Sequence, residues 1–148
     1  MKKVLFCLSI MTLLFCSSCK KDEKTNYADA FVGNYDVWVE ANFNVPIMGS
    51  VPYDFSNEGT IEKNGDEGDV TITMMDQTVN GYVRADGLHI EPIVMTENIA
   101  GYDMNVTVTV PVIAPPVDGV ITASANMMAS VAIGVVNGTA DITAIKKQ

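Results

Sequence analysis

Beyond residue 19 the 148-residue chain has no cysteine, and His89 is its only histidine. Residues 20–148 therefore hold no disulfide, no thiolate metal centre and no histidine-built zinc site. Basic side chains are nearly as scarce. Between residues 28 and 145 only Lys63 and Arg84 stand against 16 carboxylates, a net charge of −14. A field of that sign repels phosphate backbones, so no nucleic acid is expected as a partner, and small anions are disfavoured unless a cavity shields them. Aromatic residues make up 7% and charged residues 18% of the chain, against 48% apolar, a balance that excludes disorder and suits one domain. No segment past the leader carries the three-to-four-residue apolar spacing of a long amphipathic helix, which disfavours a helical bundle.

What the chain does have is alternation. Tyr35, Val37, Val39, Ala41 and Phe43 share one parity, and Asn34, Asp36, Trp38, Glu40 and Asn42 the other, which predicts a strand with one dry face. The same period runs from Tyr102 through Met104, Val106 and Val108 to Val112, and in shorter form through Val70, Ile72 and Met74, and through Ala140, Ile142 and Ala144. Between these runs lie Asn64 to Asp69, Asn80-Gly81, Asp86-Gly87, Asp118-Gly119 and Asn137-Gly138. Such pairs tolerate the positive φ of tight hairpins, so each predicts a turn between antiparallel neighbours. The expected fold is all-β, an antiparallel up-and-down β-barrel of about eight strands over residues 29–148, with a β-sandwich as the alternative.

The first 18 residues read as a leader. Lys2 and Lys3 precede the apolar run Val4 to Phe15, which is too short to span a membrane comfortably. The run closes on Cys16-Ser17-Ser18-Cys19, which resembles the lipobox of bacterial lipoproteins, and the resemblance implies that Cys19 is acylated and becomes the new N-terminus. Several acyl chains, at ~0.8 kcal/mol per buried methylene, would hold such a protein on the outer membrane without a transmembrane helix. Lys21, Asp22 and Glu23 follow directly and resemble the export signal of surface-exposed Bacteroidetes lipoproteins; the same residues also serve as a solvated tether. Residues 19–28 are thus read as the lipidated cysteine and a charged linker.

The start of the domain, Asp29 to Tyr35 with Gly33 ahead of the aromatic, resembles the opening of calycin-like (lipocalin-like) domains. The stretch from Asp118 to Ile142 is similar to the closing strands of calycin-like lipoproteins of gut Bacteroidetes. The resemblance implies a barrel over residues 29–145 with a ligand cup. Where lipocalins place a tryptophan after the glycine, this chain has Tyr35, with Trp38 three residues on, and no ligand residue is carried over.

Candidate chemistry is sparse. His89 lies on the opposite parity to Leu88 and Ile90 and is read as a solvent-facing strand residue; no serine sits in a nucleophile-elbow pattern. Glu40 and Glu62 are the first carboxylate pair to inspect for glycosidase chemistry, although exposed strand faces routinely carry acids. The loop Asn64 to Asp69 offers oxygen ligands but departs from the EF-hand pattern, and a hairpin turn accounts for it. The run Met127 to Val136 is apolar on both parities, which predicts a strand buried on both faces, packed on a partner or lining a cavity. Ile47, Met48, Val51 and Pro52 are read as an apolar lid or contact patch. The sequence thus points to a non-enzymatic, cofactor-free lipoprotein that binds a small apolar ligand, with Met74, Met104, Met127 and Val131 lining the site. The alternatives are a protein- or glycan-interaction module with a filled barrel, and a hydrolase using paired carboxylates.

Overall fold

The structure, a computed structural model, describes residues 26–46, 48–65, 68–99, 101–131 and 134–148. Nine antiparallel strands form one curled, barrel-like sheet: β1 (Gly33–Val45), β2 (Gly49–Lys63), β3 (Asp69–Met74), β4 (Gln77–Arg84), β5 (Gly87–Ile90), β6 (Ile93–Ile99), β7 (Tyr102–Thr109), β8 (Val120–Val131) and β9 (Gly134–Lys146). Their order across the sheet is β5-β4-β3-β2-β1-β9-β8-β7-β6. Every neighbour is also next in sequence except where β1 pairs with β9, so the chain is an up-and-down meander whose two ends meet. Among the described residues β5 and β6 share no ladder. An isolated bridge instead ties Leu88 of β5 to Ile113, beyond β7, through two N–H···O bonds of 2.9 Å.

Alternation explains the core. Tyr35, Val37, Val39, Ala41, Phe43 and Val45 of β1 are all buried, as their shared parity predicts. Ala140 and Ala144 of β9, the strand next to β1, Ala125, Met127 and Ala129 of β8, and Met104 and Val106 of β7 are buried with them. At one end a 3₁₀ turn, Tyr27–Ala30, packs on β4, with Ala28 and Phe31 buried. The Tyr35 hydroxyl donates to the Phe31 carbonyl at 2.5 Å and pins this cap to β1. The fold therefore begins within the stretch read as linker. All core residues lie between Ala28 and Ala144, so residues 26–148 carry their own core.

Two of the five turn signals fall elsewhere. Asn80-Gly81 lies inside β4 and Asn137-Gly138 inside β9. These glycines serve close approach rather than chain reversal: a Cβ on Gly138 would stand 2.7 Å from the Asn42 carbonyl oxygen and 2.9 Å from the Phe43 ring, and one on Gly81 would stand 2.7 Å from the His89 carbonyl oxygen. Conversely, β3 and β4 are joined by Met75 and Asp76, whose φ angles of 53° and 59° are those of a tight hairpin built without glycine. The run Met127 to Val136 is not one strand but the end of β8 and the start of β9, with Met127, Ala129 and Val136 inward and Met128 and Val135 exposed. It is buried on one face only.

Gly138→Ala should lower stability by about 1–3 kcal/mol, because backbone and the Phe43 ring must shift to admit a methyl group. Asn137→Ala, on the outward side of the same strand, should change it by less than about 0.5 kcal/mol. Urea midpoints of the two variants distinguish a close-packed strand from a turn, in which the order of the two effects would reverse.

Candidate functional site

The inward faces leave little room. Three voids, of about 100, 60 and 60 Å³, lie between the walls, and all three border on Met74 and Ile93. Pockets for drug-sized ligands run to roughly 300–1,000 Å³. Among the described residues these voids are smaller than such pockets, and they gather along one seam. Of the residues expected to line a ligand site, Met74 and Met127 share one of these voids. Met104 is buried in the β7 wall and borders none of the three. Val131 ends β8, and its side chain lies outside the described residues. Cys19, Lys21, Asp22 and Glu23 lie outside them as well.

The seam exists because β3 is short. It pairs with Gly59–Lys63 of β2 only, so the first ten residues of β2 have β1 on one side and no strand on the other among the described residues. Across this opening stands β6, whose outer edge is likewise unpaired. Side chains close the distance where backbone does not: the Tyr53 hydroxyl donates to Glu97 Oε2 at 2.8 Å, 44 residues away in sequence. Burial, and then this bond to a carboxylate, push the Tyr53 phenol above its ordinary pKa. Phe55 stands beside Tyr53 with ring centroids 5.7 Å apart, and Met95 borders the same void. No residue pattern announces this contact, since it depends on curl bringing two distant edges together.

Outside, Met48 of the proposed lid is exposed, Val51 is half-buried and Pro52 is exposed; Ile47 is outside the described residues. His89 faces outward but is not bare. It stacks on Tyr82 at 4.6 Å and 7°, and its Nε2 is 3.0 Å from Asp86 Oδ1. That hydrogen bond holds the Asp86 carboxyl below its usual range. Arg84 lies 4.8 Å from the Tyr82 ring centre, completing a cluster that satisfies itself. No serine hydrogen-bonds His89 among the described residues; Ser50 donates to Asn42 and Ser124 to Asp141.

Glu40 and Glu62 do not come together. Gly33 pairs with Ile61, so Glu62 lies level with residue 32, roughly 26 Å along the sheet from Glu40. In-register neighbours of Glu40 are instead Asp54 and Asp141, a row of three carboxylates across β2, β1 and β9. The turn Asn64 to Asp69 is a β2–β3 connection in which the Asn64 N–H donates to the Asp69 carbonyl at 2.8 Å. Among the described residues no group of three His, Cys, Asp or Glu side chains is arranged to hold a metal ion. Comparison of the chain with family models, curated proteins and solved structures found no match.

Tyr35 and Tyr53 both have phenols raised by burial above the ordinary value near 10. A raised folded-state pKa means that their contribution is whole below pH 10 and is lost as pH climbs through the folded values. Stability should therefore fall from about pH 10 upward. The double variant Tyr35→Phe/Tyr53→Phe should be less stable at pH 8, by about 1–3 kcal/mol for two lost hydrogen bonds, yet decline more gently with alkali. Denaturation midpoints at pH 8, 10 and 11 check this, and an unaltered alkaline slope would refute it.

Proposed function

We propose that this chain is an exported, lipid-anchored recognition module with a filled, calycin-like barrel, which meets its partner on its outer surface. The observation that carries the reading is the size of the interior voids, none above about 100 Å³. A barrel that holds a ligand must leave side-chain space unfilled, whereas here buried alanine, valine and methionine side chains form one core cluster. Meander connectivity with β1 beside β9 supports the calycin-like reading. The lipobox-like Cys16 to Cys19 and the Lys21-Asp22-Glu23 signal support attachment to the outer membrane and display at the cell surface. The acidity of the domain speaks against nucleic acid as a partner.

A second reading, a small apolar ligand inside the barrel, has one specific observation behind it. The three voids meet at Met74, and Met95 borders two of them; these side chains repack at little cost. A slender apolar molecule could enter by parting Tyr53 from Glu97.

The two readings separate on titration of residues 20–148 with N-phenyl-1-naphthylamine, a neutral probe that the acidic surface does not repel. Surface recognition predicts no stoichiometric fluorescence rise. One probe bound per chain, abolished by Met74→Trp, would establish the interior site instead. For the anchor, Cys19→Ala should abolish incorporation of labelled fatty acid in cells. Alanines at Lys21, Asp22 and Glu23 should leave labelling intact and remove sensitivity to protease added outside; persistent sensitivity would dissociate that signal from surface display.

A further inference from the structure

Register sorts the outward side chains of the four central strands into rows. Asn42 of β1 lies opposite Thr139 of β9, Thr139 opposite Asn126 of β8, and Asn126 opposite Thr109 of β7. One pleat nearer the hairpin end, Asn44 lies opposite Asn137, Asn137 opposite Met128, and Met128 opposite Thr107. These two rows line a groove of about 710 Å³ on the outer face of the sheet. No residue lining it is charged. On a domain with 16 carboxylates and two basic side chains between residues 28 and 145, this is a neutral window.

Its chemistry narrows the occupant. An anion would be repelled by the surrounding field, and a cation would find no carboxylate in the groove to pair with. An apolar ligand would strip water from amides and hydroxyls and give no hydrogen bond in return. A neutral, polyhydroxylated chain meets all three conditions. Each asparagine presents two N–H donors and a carbonyl acceptor, and each threonine a hydroxyl that does both, which matches adjacent sugar hydroxyls. The side chains of Asn44, Asn126 and Asn137 enter no side-chain hydrogen bond among the described residues, so their amides are free to turn to a ligand. Met128, 53% exposed in the middle of the second row, offers an apolar contact for the C–H face of a sugar ring.

The row Glu40, Asp54 and Asp141 bounds the groove on the side of Trp38. Across the four strands the two rows span roughly 14 Å, long enough for two or three sugar units. We propose that the Asn42–Asn44 and Asn126–Asn137 face binds a neutral polysaccharide. This rests on the surface-recognition reading above and adds to it the chemical class of the partner. The groove also sits toward the end of β1 opposite to the one where the chain enters at Tyr27.

Affinity electrophoresis of residues 20–148 through gels containing a soluble β-glucan, xylan, mannan or fructan tests the proposal, with polygalacturonate as the anionic comparison. Retardation is expected in at least one neutral gel and none in polygalacturonate. In the retarding gel, Asn44→Ala/Asn137→Ala should bind about tenfold more weakly, the worth of one or two hydrogen bonds, with its urea midpoint unchanged. Glu62→Ala, far from the groove, should bind as the parent does. The proposal is overturned by migration unaltered in all four neutral gels, by equal retardation of the double variant, or by retardation in polygalacturonate. If the neutral gels fail and N-phenyl-1-naphthylamine also stays unbound, the groove assignment falls while surface recognition stands, with a protein as partner. If the probe binds one per chain, surface recognition itself falls.

Discussion

The ladder between β1 and β9 is the constraint on which the rest of the molecule depends. It joins residues about a hundred positions apart, Tyr35 to Lys146 and Asn44 to Asn137, and turns a flat meander into a curled wall. β1 is paired along thirteen residues with β2 and along ten with β9, so it is central in both directions and its register decides which side chains face in. A slip of one residue would move Phe43 and Val39 into solvent and Asn42 and Glu40 into the core. The same register that buries Phe43 beside Gly138 sets Asn42 beside Thr139 on the other face. Interior packing and the outer groove are therefore two sides of one pairing.

Small residues line much of the inner face of this wall. Ala41, Ala125, Ala129, Ala140 and Ala144 are all buried, and aromatics are few. Methionines take up the remaining irregular space. Where β3 is too short to continue the sheet, closure passes from backbone to side chains, and a tyrosine–glutamate contact stands in for a missing strand pair. Sheet edges left unpaired invite association with other chains, and this contact shields one of them.

Strand identity was legible in the sequence wherever one face is dry. β1, β3 and β9 follow from alternation alone, the inward set on β1 matches it residue for residue, and β7 follows it as far as Thr109 but stops short of the Val112 the pattern reached. Turn chemistry was legible only in part, because glycine answers two different needs. Gly87 and Gly119 lie at reversals, while Gly81 and Gly138 admit a neighbouring strand. Met75 and Asp76 form a turn with no glycine to announce it. Of the outer groove, the parity of Asn42 was visible, but its alignment with residues of β7 and β8 needs registers between strands far apart in the chain. Cys16 to Glu23, on which the expectation of a lipid anchor and export rests, lie outside the described residues.

The meeting of β1 with β9 also governs when this protein can fold. Contacts that span most of the chain form slowly, since a large loop must close before any of them contributes. Until the residues of β9 are available, β1 has one partner instead of two, and Ala140 and Ala144 are missing from the core beside it. In a polypeptide of this design the last strand made completes the pairing of the first.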